Sequence, residues 1–323
     1  MAVLRMFTSL ADLTSGVPPT TEVSSYVDLT RVEYGFRPTS AQSFIVQHDE
    51  ASGNDTWYHF RFATTGVGSS SFDGDLVVIQ DVDNTRLGGM ELLNGQIRFF
   101  VEGDTTVRSA VYSYSGSVPY LIDLHIEVDG STSITLNAYI NGAAQPTVTA
   151  ANTGGKGKAA MALIGCPSTA LNGAFAAYSE GVIADEDTRG WRVRELKPKG
   201  IGADKQWVGS ALDVVDDDVG TGISTDVTGE RMCFGLSNLE FIGGGDIINR
   251  VVIQTYAQRG ESGLTNLNHY FRYADTTRED STSFNPGVTG AWFLEEFATN
   301  PDTTAAWDPA DFESLQIGVR AQT

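Results

Sequence analysis

The sequence is poor in the residues that most functional motifs are made from. It holds two cysteines, four histidines and ten prolines in 323 residues. Cys166 and Cys233 lie far apart with no CxxC between them, which excludes a disulfide framework and fits folding in a reducing compartment. Basic side chains are scarce, with Lys+Arg 21 against Asp+Glu 41 and a formal charge of −20. Such a surface repels phosphate backbones, so nucleic acid is not an expected partner. Long apolar runs are missing too. The most continuous, Ala159–Cys166, is far too short to span a bilayer, and MAVLRMFTSLADL at the start lacks the apolar core of a signal peptide. No stretch of ten residues sustains a helical period.

Catalytic signatures are equally thin. His48, His59, His125 and His269 form no HExxH and no pair at metal spacing. No GxSxG is present, and Cys166 in GCPS has no histidine nearby in sequence, so a buried structural thiol is expected. Gly243-Gly244-Gly245-Asp246 runs into the strand-like Ile247–Ile253 rather than a helix, which removes the amide cradle a phosphate loop needs. Gly154-Gly155-Lys156-Gly157-Lys158 lacks Walker spacing and a following Ser or Thr. Asp123 and Glu127 share one strand face, but four residues at ~3.3 Å each place them ~13 Å apart, beyond either glycosidase geometry. No enzyme is expected.

What is abundant is the punctuation of β structure. Glycine is frequent at 35 residues, and Ser, Thr, Asn and Asp crowd between short apolar runs. The clearest stretch is Tyr120–Gly142. Ile122, Leu124, Ile126 and Val128 alternate with Leu121, Asp123, His125 and Glu127; after Asp129-Gly130, Ile134, Leu136, Ala138 and Ile140 alternate with Thr135, Asn137 and Tyr139. A period of two puts one face on a core and the other outward, so this is a hairpin. Further strands are expected at Val32–Phe36, Phe44–His48, Thr56–Ala63, Leu76–Gln80, Ala160–Ile164 and Ala174–Ala184, with a second hairpin turning on Asn94-Gly95. The length suits two domains, and the turn-rich Asp185-Glu186-Asp187-Thr188 marks the expected boundary: 1–187 with a short N-terminal arm, then 188–323. The later half offers strands at Arg231–Leu236, Ile247–Ala257, Tyr270–Tyr273 and Leu315–Val319. Asp308-Pro309 caps a short helical turn before the last of them. The expected class is all-β: two β-sandwich, jelly-roll-like domains in tandem with few short helical turns.

Two resemblances follow. The Asn-Gly hairpin, the strand opening on Tyr120, and Ala138–Gly142 (AYING) are similar to concanavalin A-like and laminin G-like jelly rolls over roughly residues 25–186. Many such domains bind sugars, often with calcium; others only pack against protein. The later half resembles C-terminal regions of tailed-bacteriophage virion proteins, through Trp207, Pro301, Trp307 and the terminal Leu315, Gln316, Ile317, Gly318 and Val319. That resemblance implies a structural component on the exterior of a virion, in tail, fibre or head decoration. It would be made in the host cytoplasm and assembled with itself, a trimer being expected, and with neighbouring virion proteins. The alternative is a carbohydrate-binding module that recognises a host surface glycan. No cofactor is expected. Calcium is the only metal considered, at Asp81 and Asp83 or at Asp216 and Asp218, where oxygens crowd. Interface candidates are Tyr112, Tyr114, Tyr139, Trp292 and Trp307, aromatics near turns or on outward faces. Trp191, Arg192 and Arg194 join them from a junction where four basic side chains fall in nine residues. The junction is expected to close two acidic domains together or to meet another subunit.

Overall fold

A computed structural model describes residues 2–7, 21–23, 28, 31–32, 35–38, 43–65, 74–115, 118–165, 175–215, 220–237, 247–261, 263–279 and 282–323. Its strands, in chain order, are β1 (Val3–Phe7), β2 (Thr21–Val23), β3 (Gly35–Arg37), β4 (Ser43–Gln47), β5 (Asp55–Thr65), β6 (Gly74–Gln80), β7 (Arg86–Leu93), β8 (Gln96–Glu102), β9 (Thr106–Arg108), β10 (Tyr120–Asp129), β11 (Ser133–Ile140), β12 (Ala143–Ala144), β13 (Val148–Ala151), β14 (Met161–Gly165) and β15 (Phe175–Ala184). They continue as β16 (Pro198–Lys205), β17 (Arg231–Leu236), β18 (Val251–Ala257), β19 (Asn266–Tyr273), β20 (Thr276–Glu279), β21 (Ala291–Phe297) and β22 (Leu315–Gln322). The helical content of the described residues is two short 3₁₀ turns, Leu212–Val214 and Pro309–Glu313. The protein is all-β. No described helix is long and apolar enough to cross a membrane.

The chain divides into Met1–Glu195 and Leu196–Thr323. The first unit is a two-layer antiparallel sandwich. One sheet has nine strands in the order β12-β11-β10-β5-β15-β3-β2, with β1 added on β15 and β13 on β11; the other has six, β4-β14-β6-β7-β8-β9. The period-two alternation explains the layering. Phe60, Phe62, Ile122, Leu124, Ile126, Ile134 and Leu136 point from the larger sheet into a core completed by Phe44, Leu76, Ile79, Leu92, Phe99, Val101 and Ile164 from the smaller. Each such side chain stabilises by roughly 1.5–3 kcal/mol on leaving water. Tyr178 centres an aromatic cluster with Phe36, Phe44, Phe60 and Phe62 at centroid separations of 5.5–6.3 Å. Both Asn-Gly turns have left-handed backbones, with φ 50° and 71° at Asn94-Gly95 and 50° and 79° at Asn141-Gly142. That pairing matches the twist of the flanking strands.

The second unit is a smaller pack: a five-stranded sheet, β16-β17-β22-β19-β20, and a two-stranded one, β18-β21. Ile253, Phe271, Phe297, Trp307 and Leu315 form its main core, with Met232, Phe234 and Ala211 beside the Leu212 turn. Asp308 and Asp311 form a reciprocal capping box at the Pro309 turn, which satisfies amides the turn leaves open.

Several expectations need adjusting. The division falls after Glu195, so Arg189, Arg192 and Arg194 belong to the end of the first unit and Lys197 to the start of the second. Strands β16, β20 and β21 carry no clean alternation in sequence, and β18 begins at Val251 rather than at Ile247. Most of the short N-terminal arm, the Gly243–Asp246 stretch and Cys166 lie outside the described residues. Cys233 is a buried free thiol that donates to the Gln316 side-chain oxygen at 3.1 Å.

Candidate functional site

The nine-stranded sheet has an outward face, and the most organised cluster of chemistry lies on it. Cross-strand register sets it out in rows. Asp55 opposes Glu127, Trp57 opposes His125, and His59 opposes Asp123; on the far side of β10, His125 opposes Asn137 and Asp123 opposes Tyr139. Residues directly opposite share a face. The Trp57 and His125 rings stack 4.3 Å apart at 4°, and Tyr139 lies 5.9 Å from Trp57 at 18°. The Arg189 guanidinium covers this shelf, 4.6 Å from the Tyr139 centroid and 5.7 Å from that of Trp57. Exposed cation–π contacts of this kind contribute about 0.5–1 kcal/mol.

The polar groups of the shelf are oriented in series. Thr147 donates its hydroxyl to Asn137 Oδ1 at 2.7 Å. Asn137 Nδ2 lies 3.4 Å from His125 Nδ1, and His125 Nε2 lies 2.6 Å from Asp55 Oδ1. Since the carboxylate can only accept, the imidazole proton sits on Nε2 and Nδ1 accepts from the amide. Thr135 and Thr149 pair their hydroxyls at 3.1 Å one row away. Asp55 is about half exposed, and Thr147 and Thr149 are exposed. Trp57 is itself only 7% exposed, its ring packed on that of His125, so the strip offers the half-buried Tyr139 ring together with hydroxyls, an amide and carboxylate oxygens in one line along β5, β10, β11 and the start of β13.

Beside the shelf the same face is closed over. Asp123 accepts from His59 Nδ1 and from the Thr188 hydroxyl, both at 2.8 Å, and all three residues are buried. Next to them Arg61 donates to Glu180, a pair with Glu180 fully buried. Glu180 sits at an irregularity between β15 and β5, with φ 54°, a strained backbone for a residue with a Cβ. The segment after β15 acts as the cover. Thr188 plugs Asp123, and Asp187 grips Arg189 through Nε at 2.9 Å to each carboxylate oxygen. That hydrogen bonding holds the Asp187 carboxyl below its ordinary value and raises Arg189 above its own.

The residues singled out from sequence fare unevenly. Tyr139 is on the shelf. Tyr112 and Tyr114 are half-buried against the core of the first unit, and Tyr114 shares a hydrogen bond with Thr64 at 2.8 Å. Trp191 and Arg194 are half-buried and Arg192 exposed. Arg192 donates to the Trp191 carbonyl at 2.6 Å; the partial cover it has lowers its pKa, and the Glu180 carboxylate opposes that. Trp292 is half-buried, edge-on to Tyr256 at 5.4 Å. Trp307 is 4% exposed and donates its indole N–H to the Phe297 carbonyl at 2.8 Å. It is a core residue, not an interface residue, because the Asn300–Thr304 turn folds the segment back over the sheet. Asp81 is 3% exposed, and its oxygens accept the Asp83, Thr85 and Gly157 amides. This carboxylate ties a turn together and is not free for calcium; Asp83 is exposed. Asp216 and Asp218 lie outside the described residues. Among the described residues no group of three or more His, Cys, Asp or Glu could hold a metal ion.

Sequence reasoning missed Trp57, Asp55, Asn137 and Arg189. The alternation of β5 places Trp57 outward, but partnership with His125 needs the register. A second network also escaped notice. In the second unit His269 receives the Thr255 hydroxyl at Nε2, at 2.9 Å, and donates from Nδ1 to Glu295 at 2.7 Å. It is fully buried beside the Phe284 ring, 4.8 Å away. An imidazole satisfied at both nitrogens under an aromatic cover pins β18 and β21 to β19.

The fold is that of a layered β protein that carries an aromatic and polar strip on one sheet face. No family model matches the chain, and no curated protein matches it. Solved structures give distant likenesses. The binding domain of Paraclostridial Mosquitocidal Protein 1 is similar at 14% identity and TM-score 0.40, over 57% of this chain and 48% of that one. The botulinum neurotoxin serotype D ligand binding domain, solved in complex with N-acetylneuraminic acid, is similar at 10% identity and TM-score 0.40, over 78% and 72%. An endo-β-1,4-glucuronan lyase from the fungus Trichoderma reesei follows at 12% and 0.39, over 53% and 88%. The chain spans about half the length of the mosquitocidal binding domain. Likenesses this distant identify neither a ligand nor a reaction.

Proposed function

We propose that the protein is a binding module without catalytic turnover, and that its first unit recognises carbohydrate on the outward face of the nine-stranded sheet. The observation that carries this reading is the strip itself: the Trp57–His125–Tyr139 shelf beside Asp55, Asn137, Thr147 and Thr149. A saccharide presents apolar C–H faces edged by hydroxyls. Aromatic rings take the first, and paired acceptors and donors take the second. The strip's hydroxyls, amide and imidazole are coupled to one another rather than aimed at a scissile bond. A glycan array probed with the full chain tests the reading. Selective binding that falls at least tenfold in Tyr139→Ala, the loss typical of a central aromatic contact, supports it. Binding to no glycan, or binding that ignores Tyr139→Ala, overturns it.

A second reading concerns the second unit. Val208, Leu212 and Ile247 expose 75%, 74% and 81% of their surface, and each gives a partner protein an apolar side chain to bury. On this reading the unit docks on copies of itself or on neighbouring proteins of a virion, as a tail, fibre or head-decoration component. Light scattering on the purified chain reads the self-assembly part. A mass that is a multiple of 34.7 kDa, reverting to one copy in Leu212→Asp, supports assembly; a monomer at every concentration removes the homo-oligomer.

A further inference from the structure

Resting on the carbohydrate reading, the geometry points to a neutral saccharide as the ligand of the strip, and to Arg189 as a side-chain gate that occupies the saccharide's stacking position until displaced.

The ligand class follows from charge. The polar groups that line the open part of the strip are two carboxylates, Asp55 and Glu127, one amide and several hydroxyls; its cation among the described residues is Arg189, and that guanidinium is already gripped by Asp187 through both carboxylate oxygens. An anionic sugar meets Asp55, Glu127 and the field of a chain with formal charge −20, and among the described residues no second cation is seen on the shelf to offset them. Vicinal hydroxyls, by contrast, match a carboxylate oxygen beside an amide.

The gate follows from where Arg189 lies. Its guanidinium covers the ring of Tyr139 at 4.6 Å, the same face against which a sugar would stack. Arg189 is nevertheless exposed at 43% of its side chain, and its grip, Asp187, at 45%. The backbone on either side is fixed without reference to Arg189. Thr188 is buried and bonded to Asp123, and the Trp191 amide donates to the Thr188 carbonyl at 2.9 Å. Gly190, at φ 81° and with open space around it, completes the turn. Rotation about side-chain bonds alone uncovers the shelf, so opening needs no strand to move. What holds the gate shut is an exposed ion pair and an exposed cation–π contact, both weak interactions, so a ligand can displace it. The competition lowers apparent affinity by the fraction of time the shelf is covered.

The test uses the full chain, as wild type, Arg189→Ala and Asp187→Asn, with two readouts. One is nitration of Tyr139 by tetranitromethane, followed by peptide mapping, which needs no ligand. The other is binding to an array of neutral and acidic oligosaccharides. The expected result is faster nitration of Tyr139 in Arg189→Ala, and binding to neutral glycans stronger by about two- to fivefold, the factor a surface cation–π contact can withhold. Asp187→Asn should show a smaller rise in both. Equal nitration and equal binding in wild type and Arg189→Ala overturn the gate. Weaker binding in Arg189→Ala overturns it too, by making Arg189 a ligand contact. A preference for acidic glycans overturns the neutral class. If nitration responds but no glycan binds any variant, the carbohydrate reading itself has failed, and the ligand class with it, while the covering of Tyr139 is upheld.

Discussion

The two units solve the same problem with different materials. Between its sheets the first unit places one continuous apolar cluster, from Phe7 to Ile183, and keeps its polar networks on the outward face. Among the described residues the second unit has five buried residues in its main core and sets a Thr255–His269–Glu295 relay between β18, β19 and β21, whereas the first unit's core is mainly hydrocarbon and rings, crossed by single bonds such as that from the Tyr178 hydroxyl to the Leu76 carbonyl. A hydrogen-bonded pin of this kind fixes register, but it contributes little net stability compared with apolar burial. The larger unit's core leaves its outer sheet face free to carry the aromatic and polar strip. The smaller one depends on a few aromatic side chains and a capped turn.

That contrast predicts two separable thermal transitions, the lower one belonging to the second unit. The sharpest way to break the comparison is Trp307→Ala, which removes an indole and its hydrogen bond from a five-residue core. A cost of about 3–5 kcal/mol should erase the lower calorimetric transition and leave the upper one in place. Leu124→Ala should do the reverse, lowering only the upper transition, at ~2–5 kcal/mol, without erasing it. A single transition that shifts in both variants would show that the units do not unfold separately.

The next effect is on pH. His48 donates Nδ1–H to the Asp49 carbonyl at 2.7 Å and accepts the Tyr58 hydroxyl at Nε2, at 2.8 Å. Burial lowers its pKa from 6.5 to about 4. The unfolded chain takes up a proton that the folded one refuses, so this stability is full above pH 6.5 and is lost as pH falls towards about 4. Because His48 is partly exposed, the loss should be on the order of 1–2 kcal/mol. It should appear in the upper transition and flatten in His48→Gln. The smallest effect concerns the cap. Asp308→Ala removes the side-chain bond to the Ala310 amide and should lower the second unit's transition by about 1 kcal/mol. A shift in the upper transition instead would contradict the division after Glu195.

How much of this could be read from the chain alone differs by element. The β10–β11 hairpin was legible because its alternation is uninterrupted and its turns carry glycine where the backbone is left-handed. β16, Pro-Lys-Gly-Ile-Gly-Ala-Asp-Lys, was not, because its pairing to β17 is irregular and few of its side chains are buried. β21 was hidden by Glu295 and Glu296, which look like surface until His269 and Arg250 are found beside them. The shelf was half legible. Outward placement of His125 and Tyr139 follows from the period of two, but their meeting with Trp57 depends on strand register across more than sixty intervening residues. Arg189 arrives from a connecting segment whose path no periodicity encodes. Trp307 reads as a surface residue in a turn-rich stretch, and it becomes core only once that turn is folded.

β1 pairs with the end of β15, Val3 opposite Ala184 and Phe7 opposite Gly181, and the Asp185 amide donates to the Ala2 carbonyl at 3.0 Å. The first and last strands of the larger unit thus run side by side, which makes its topology a ring that happens to be cut at this edge. The cut can be moved. Joining the two ends through a short linker and opening the chain at Asn141-Gly142 would keep nearly every strand partnership. New termini would then emerge next to the Tyr139 strip, where a reporter or another domain could be grafted.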